Sequence, residues 1–367
     1  MKILHTGDLH IGMKFNRYPD GIKEKLVKAR IDVLAKLVDT ANEAGCNIFV
    51  VAGDLFENTR ISKSLIAEVL LILGHFEGEC VLVLPGNHDY EDGINDLWKR
   101  FNEDRGDKLI LLNENRVCHL QPYDLNVDIY PAYCNQKHSD TNNIGWIEQT
   151  GIIDPERINI GIAHGALEGT SADIEGNYYF MSRKELENIP LDLWLLGHSH
   201  VRYPDVDTVS GSRIFNCGTP EPDGMNYSRA GNAWLLEIGE DKTVRGQSLQ
   251  PGQYKFYDLE WRINTEDDFS RVTNNLIDED AGNKLVRLNL SGSIDEELLE
   301  KRQEFYREWE EKLFYFRYDD SELRRKATRA IIEREFTHGS FPYRLLQKLA
   351  DDPEALQTAY EMIRQVK

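Results

Sequence analysis

Nine side chains with the chemistry of metal ligands or proton carriers stand in five short motifs: Asp8, His10, Asp54, Asn87, His88, Asp89, His164, His198 and His200. Carboxylate, amide oxygen and imidazole together form a mixed oxygen and nitrogen ligand set. Such a set suits Mn²⁺, Fe²⁺ or Zn²⁺ better than Ca²⁺ or a thiolate-bound metal. So many candidate ligands fit two ions better than one, and the sequence therefore predicts a two-metal centre.

The spacing within the motifs supports this interpretation. In an extended segment alternate residues point the same way, so Asp8 and His10 can grip one ion, as can His198 and His200. A single pair of this kind more often lies on the surface or in the core without binding a metal. Five motifs in this order, each following an apolar run, favour the metal centre.

The elements that must position these residues are short buried strands. Apolar runs over 3–6, 48–52, 80–84, 158–163 and 193–196 each end at one of the motifs, and helical patterns over 26–41 and 64–73 separate the first three. This alternation predicts an α/β fold with parallel strands. Ligands in such folds sit at the carboxyl ends of strands, so we expect the five motifs to converge there.

Composition narrows the class of protein. The 367 residues include 43 Lys and Arg and 63 Asp and Glu, for a net charge of −20, too acidic for a protein that simply coats DNA. The 41% hydrophobic content indicates a sizeable core, and the length suggests two or three units. We expect a cytoplasmic chain with no membrane segment and no signal peptide. Five scattered cysteines are expected to be buried reduced thiols: Cys46, Cys80, Cys118, Cys134 and Cys217.

Three regions are predicted: an α/β domain over 1–245, a small α+β capping domain over 246–295, and a helical segment over 296–367. Alternating strands over 254–263 and 284–290 indicate the cap. Apolar and aromatic residues over 305–316 and 341–349 suit either a docking surface or packing on the protein's own cap. One further cluster predicts a basic helical face, for DNA, an acidic partner or solvent: Arg324, Arg325, Lys326, Arg329 and Arg334.

The motif series resembles the calcineurin-like metallophosphoesterase superfamily, with its G-D-x-H, G-D, G-N-H-D, lone histidine and G-H-x-H. The resemblance implies a four-layer αββα sandwich in which Asp54 bridges two divalent ions. It assigns the other ligands in two sets, Asp8, His10 and His200 for one ion and Asn87, His164 and His198 for the other. It also makes His88 the proton donor or transition-state stabiliser, oriented by Asp89. Two such ions can activate a water for attack on a phosphodiester.

Within that superfamily, residues 3–12 and 53–56 are most similar to DNA repair exonucleases of the SbcD type. Residues 216–221 and 285–292 resemble the end of that family's nuclease domain and a strand of its cap, so the resemblance covers about 1–295. It implies a Mn²⁺-dependent DNA nuclease, with exonuclease or endonuclease action left open, that dimerises and docks on an SbcC-type coiled-coil ATPase. DNA binding without that partner is expected to be weak, because an acidic chain has little electrostatic affinity for DNA.

One position departs from the pattern. Some family members carry a histidine that contacts substrate phosphate three residues beyond the bridging aspartate, where this chain has Glu57. Glu57 would either repel the phosphate or stabilise the N-terminus of the following helix.

Two alternatives to the nuclease stay open: a stand-alone phosphoesterase acting on nucleotides, cyclic nucleotides or phosphoproteins, and a catalytically silent scaffold for an ATPase. The cap and tail argue against the first, and the full ligand set argues against the second.

Overall fold

The structure is a computed structural model that describes residues 1–151, 153–170, 176–225 and 230–366. Two compact units make up the chain, Met1–Lys255 and Phe256–Lys367.

The first unit is built on two sheets. Its strands are β1 Lys2–Thr6, β2 Ile48–Ala52, β3 Cys80–Leu84, β4 Leu109–Leu111, β5 Cys118–His119, β6 Val127–Ala132, β7 Ile158–His164, β8 Leu193–Gly197, β9 Thr208–Ser210, β10 Ile214–Asn216, β11 Ala233–Ile238 and β12 Val244–Leu249. One sheet has the order β4-β3-β2-β1-β11-β12-β9 and the other β10-β8-β7-β6-β5. Strands β1 to β4 are parallel to one another, and so are β6, β7, β8 and β10. The five predicted apolar runs are all strands.

In the described part of this unit, four helices connect the strands: α1 Asp20–Glu43, α2 Lys63–Gly74, α3 Asp96–Asp104 and α4 Arg183–Asn188. The apolar stripe of α1, with Val33, Leu34 and Leu37, packs on the outer face of the seven-stranded sheet together with α2 and α3. On the opposite side of the unit, Leu186 of α4 packs against Trp194 on the outer face of the five-stranded sheet.

The inner faces of the two sheets form the central core. Side chains such as Val50 and Leu82 from one sheet meet Ile160 and Leu195 from the other, all fully or almost fully buried. Strand residues alternate between the two faces of a sheet, so a continuous apolar run serves both the inner and the outer core. The layers are, in order, helices α1 to α3, the seven-stranded sheet, the five-stranded sheet and helix α4. This is the expected four-layer αββα order, and the α/β prediction is confirmed.

The second unit contains a three-stranded sheet of order β13-β14-β15. Its elements are β13 Lys255–Ile263, α5 Glu266–Leu276, β14 Lys284–Ile294, α6 Glu296–Lys312, β15 Tyr315–Arg325, α7 Arg329–Glu335, α8 Phe341–Lys348 and α9 Pro353–Val366. Helix α5 begins with a capping box, in which Thr265 and Asp268 each bond the other's backbone N–H. The predicted strands over 254–263 and 284–290 are present.

The prediction of a wholly helical segment over 296–367 is wrong at Tyr315–Arg325. These residues form β15, which pairs parallel with β14 along most of its length. The expected boundary at 295 therefore lies inside one sheet-forming unit. Phe316 and Tyr318 pack with the core of this unit, an alternation that the surrounding charges obscure in the sequence.

The prediction of a basic helical face is also wrong. Arg324 and Arg325 lie at the end of β15 rather than on a helix. Arg324 pairs with Glu361, Arg325 with Glu335, and Arg334 with Glu296 at 2.7 Å. These three arginines therefore pair with carboxylates of their own unit.

The aromatic residues over 305–316 pack mainly on the unit's own core. Tyr306, Trp309 and Leu313 are buried against α5 and the sheet, and Trp309 donates from Nε1 to Thr273 Oγ1 at 2.9 Å. Helices α7 to α9 form a separate cluster around Ile332 and Leu346. The packing on the protein's own cap that one of the two interpretations requires is thus present for 305–316.

All five cysteines are free thiols, and all but the half-buried Cys118 are buried. Among the described residues, no helix is long and apolar enough to cross a membrane.

Candidate metal centre

The five motifs meet at the carboxyl ends of β1, β2, β3, β7 and β8, as expected. Hydrogen bonds between backbones join the first two loops, from Asp8 N–H to Gly53 O at 3.1 Å and from His10 N–H to Asp54 O at 3.0 Å. The backbone of these loops is not extended. Asp8, His10 and Asp54 have φ values of 52°, 46° and 52°, in the left-handed region that non-glycine residues seldom adopt.

The predicted extended geometry of Asp8 and His10 is therefore wrong, although the structure brings the two side chains together. Left-handed backbone at several neighbouring positions costs energy, and such strain clusters at functional sites. Here it turns the loops sharply enough for their side chains to face one another.

The first ligand group contains Asp8, His10 and His200, whose ligand atoms lie within 4.8 Å of one another. His10 Nε2 lies 3.1 Å from His200 Nε2, and the other ring nitrogen of each histidine faces a carboxylate. A carboxylate favours the tautomer whose proton lies on the nitrogen that faces it. When both rings are neutral, two Nε2 lone pairs then face each other at close range, an arrangement that suits a cation.

The second group contains Asn87, His164 and His198. His164 donates from Nδ1 to Ala52 O at 2.8 Å, which leaves its Nε2 without a proton when the ring is neutral. That nitrogen lies 3.0 Å from Asn87 Oδ1, and Asn87 Oδ1 lies 2.9 Å from His198 Nδ1. Lone pairs of nitrogen and oxygen converge again, so the residues fit a second cation.

Asp54 lies between the two groups. Its Oδ2 is 3.3 Å from His164 Nε2 and 3.7 Å from His10 Nε2, while its Oδ1 accepts from the His88 backbone N–H at 2.8 Å. Burial favours the neutral acid, but the charge and hydrogen bond of His164 outweigh it and hold the pKa of Asp54 well below its usual value. A buried carboxylate in this position suits the bridging role that the resemblance implies.

Opposite pKa shifts mark the surrounding histidines. Burial lowers the pKa of His164, but the Asp54 carboxylate outweighs burial and raises it to about 9. In His200 the contact with Asp223 likewise outweighs burial and raises the pKa to about 9. Burial and the nearby His164 lower the pKa of His198 to about 3. The nearby carboxylates thus favour a positive charge on His164 and on His200.

The structure orients His88 differently from the prediction. The carboxylate of Asp89 accepts backbone N–H groups of Gly86 at 2.7 Å and Phe56 at 2.9 Å. His88 instead has its Nδ1 3.1 Å from the backbone carbonyl of Glu57, which can only accept. His88 Nδ1 therefore carries a proton, and Asp89 acts on the loop backbone instead of on the ring. Burial, followed by the charge of Asp54, raises the pKa of Asp89 to about 8.

Glu57 does not cap a helix, because α2 begins at Lys63 with Ser62 as its N-cap. Its Oε2 lies 3.0 Å from His10 Nδ1 and 3.9 Å from His88 Nδ1. The interpretation as a helix-stabilising acid is wrong.

Sequence reasoning missed two residues behind the site. Asp223 Oδ2 lies 3.1 Å from His200 Nδ1, and the buried Arg30 of α1 approaches the same carboxylate at 3.7 Å. Burial raises the pKa of Asp223, yet the contact with His200 and the charge of Arg30 outweigh burial and lower it below its usual range. Arg30 also donates to Leu9 O at 2.8 Å, inside the first motif. A cationic side chain on the apolar stripe of a predicted helix was the available signal for Arg30.

Comparison with known families agrees with this geometry. Residues 1–202, more than half of the chain, match the family model of calcineurin-like phosphoesterases. The chain belongs to that family, which makes it a hydrolase of phosphoester bonds, and its clustered histidines and carboxylates suit two divalent metal ions.

Solved structures with similar folds include the protein TT1561 of Thermus thermophilus, at 12% identity and a TM-score of 0.41, over 67% of this chain and 98% of that one. A dimetal phosphatase from Danio rerio matches at 12% identity and a TM-score of 0.37, over 68% of this chain and 98% of that one.

Proposed function

We propose that this protein is a Mn²⁺-dependent DNA nuclease of the SbcD type. The observation that carries the proposal is the pair of ligand groups around Asp54, in which the side chain of His200, like that of the neighbouring His88, is about one-third exposed. A phosphodiester within a long polymer requires a centre that opens to solvent. The motif series and the exposure of His88 and His200 to solvent together support a polymeric substrate.

Two divalent ions bound here would supply a water of lowered pKa and positive charge to offset the phosphate. The chain's own residues supply the rest. Asp54 holds the two ligand groups together and fixes the His88 backbone through its Oδ1. The Nδ1–H of His88 donates a hydrogen bond to Glu57 O. The Nε2 atom is therefore the one that can carry a proton to the leaving oxygen.

DNA is favoured over a small phosphoester by what lies outside the family match. The match ends at 202, whereas the chain continues through Asn216–Glu221 and a second unit of sheet and helices. Those later stretches are where the sequence resembles SbcD-type nucleases. Hydrolysis of a small phosphoester needs no such unit.

The proposal includes a partner, an SbcC-type coiled-coil ATPase, and a homodimer. Helix α8 supports a docking role for 341–349, because Phe341 at its start is 77% exposed while Leu346 anchors the helix. The net charge of −20 supports a partner that brings DNA to the site.

The test compares substrates with one preparation. End-labelled single- and double-stranded linear DNA, a cyclic nucleotide and a phosphopeptide are incubated with the full chain and Mn²⁺, with EDTA and His88→Ala as controls. We expect DNA cleavage that needs Mn²⁺ and is lost in His88→Ala, and stimulation by the ATPase. Good turnover of a small phosphoester without DNA cleavage would favour the stand-alone phosphoesterase, and two bound ions with no hydrolysis of any substrate would favour the scaffold.

A further inference from the structure

Two histidines of the first ligand group have the same support. His10 Nδ1 lies 3.0 Å from Glu57 Oε2, and His200 Nδ1 lies 3.1 Å from Asp223 Oδ2. Both carboxylates thus lie on the side of the ring away from Nε2. The two Nε2 atoms lie 3.1 Å apart although 190 residues separate them in sequence.

Local contacts hold Glu57 beside His10. Its Oε2 and the Nδ1 of His10 are both buried and meet at 3.0 Å as an ion-pair contact, and neither atom has a hydrogen-bond partner of regular geometry among the described residues. The Glu57 backbone N–H donates to Ile11 O at 3.0 Å, which ties it to the loop that carries His10. Its side chain is nevertheless 27% exposed, so it is not needed to fill the core.

Asp223 is fixed from the opposite side. Its side chain is 18% exposed, and Arg30, which is 1% exposed, approaches it at 3.7 Å from α1. Arg30 binds the backbone carbonyl of Leu9 between Asp8 and His10. One buried cation therefore links the second carboxylate to the first metal-ligand motif.

We infer that Glu57 and Asp223 are positioning residues that hold His10 and His200 with Nε2 directed to one shared divalent ion. A carboxylate on Nδ1 fixes the tautomer and the ring orientation and makes the other nitrogen a better ligand. Glu57 thereby acts on a ligand of the metal rather than on the substrate phosphate. His164 needs no such carboxylate, because its Nδ1 donates to the Ala52 carbonyl.

The inference rests on the metal dependence of the proposed function but not on DNA as the substrate. The test is therefore metal binding by the full chain without DNA. Calorimetric titration with Mn²⁺ is carried out on the wild type, Glu57→Gln and Asp223→Asn, with Asp20→Asn as a control that removes one charge from a side chain that is 92% exposed. We expect each carboxylate variant to weaken one of the two binding events by about 10- to 100-fold and to leave the other unchanged.

The electron paramagnetic resonance spectrum gives a second readout. At two equivalents of Mn²⁺ the wild type and Asp20→Asn are expected to show a coupled pair, and the carboxylate variants the hyperfine signal of an isolated ion. Wild-type affinity at both sites in Glu57→Gln and Asp223→Asn would overturn the inference, as would an equal loss at both sites. If Asp223→Asn unfolds, Glu57→Gln decides the question alone, since its side chain is partly exposed.

These outcomes separate the two claims. Variants that bind Mn²⁺ as expected, in a chain that cuts no DNA, would refute the proposed function only. DNA cleavage by a chain whose variants bind both ions normally would refute the positioning role only.

Discussion

His164 donates a hydrogen bond from Nδ1 to the backbone carbonyl of Ala52 at 2.8 Å, across 112 residues of sequence. Ala52 ends β2 in the seven-stranded sheet, and His164 ends β7 in the five-stranded sheet. This bond fixes the histidine tautomer and joins the two sheets at the edge where the ligands converge. The sandwich and the site therefore depend on the same contact.

Gly53 leaves room for that contact. A Cβ at Gly53 would lie 2.1 Å from His164 Nδ1, and the residue has φ +89°. We expect Gly53→Ala to displace His164, to weaken Mn²⁺ binding at the second ligand group and to lower the free energy of unfolding. The matched control is Gly45→Ala, where φ is +65° but no atom lies within 4 Å.

The control separates backbone strain from crowding. Gly45→Ala is expected to cost about 1–2 kcal/mol from the left-handed backbone alone and to leave Mn²⁺ binding unchanged. Gly53→Ala should cost about 1–3 kcal/mol more, from overpacking. Calorimetry and urea unfolding measure the two effects, and equal behaviour of the two variants would contradict the role of the His164 contact.

His88→Ala removes a proton donor but no expected ligand. We expect hydrolysis to fall by about 10²- to 10⁴-fold while two Mn²⁺ ions stay bound. Asp54→Ala should lose metal and activity together, and His75→Ala, at an exposed site, should lose neither. Metal analysis beside a cleavage assay distinguishes these results, and loss of metal in His88→Ala would make His88 a ligand instead.

Glu221 predicts a pH dependence of stability. Burial raises the pKa of Glu221 from 4.5 to about 7, although its two oxygens accept the backbone N–H groups of Gln253 and Tyr254. The folded state therefore holds its proton more tightly than the unfolded state. The resulting stability is complete below pH 4.5 and is lost as the pH rises through about 7, by about 3 kcal/mol at most.

The variant Glu221→Gln removes this contribution to the pH dependence of stability. The amide does not titrate, and it turns one acceptor into a donor that faces a backbone N–H, at a fixed cost of about 1–3 kcal/mol. Urea unfolding at about pH 5 and about pH 8, on either side of the raised pKa, should show a smaller pH dependence in the variant than in the wild type. Parallel pH profiles would show that Glu221 ionises normally.

Trp309 and Phe341 provide a matched pair in the second unit. Trp309 is fully buried, and Trp309→Ala should lower the free energy of unfolding by about 3–5 kcal/mol. Phe341 is exposed, so Phe341→Ala should change it by less than about 0.5 kcal/mol. Chemical unfolding checks both values. If Phe341→Ala weakens capture of the proposed ATPase while stability is unchanged, 341–349 is a docking surface; a large loss of stability would place it in the core.

The sequence was sufficient to predict which site residues lie together at the strand ends. Apolar runs mark buried strands, and strand ends in parallel sheets share one edge, so Asp8, Asp54 and His164 could be placed together from the order of runs and motifs alone. Their backbone conformations could not, because left-handed φ values depend on loops that pack on one another.

Strand β15 and the contact between Asp223 and His200 could not be predicted from the sequence, for a different reason. Strand β15 is an edge strand rich in charge, and its pairing partner β14 lies across an intervening helix, so local composition favours a helix there. Asp223 reaches His200 only through the folded path of its loop, and nothing in the local sequence distinguishes it from a surface acid. Both depend on long-range contacts.

The central claim is that two ions share Asp54. Anomalous diffraction at the manganese edge, from crystals of the full chain grown with Mn²⁺, tests it most directly. We expect two peaks, one in contact with Asp8, His10 and His200, the other with Asn87, His164 and His198, and Asp54 touching both. A single peak, or peaks away from Asp54 at saturating Mn²⁺, would contradict it.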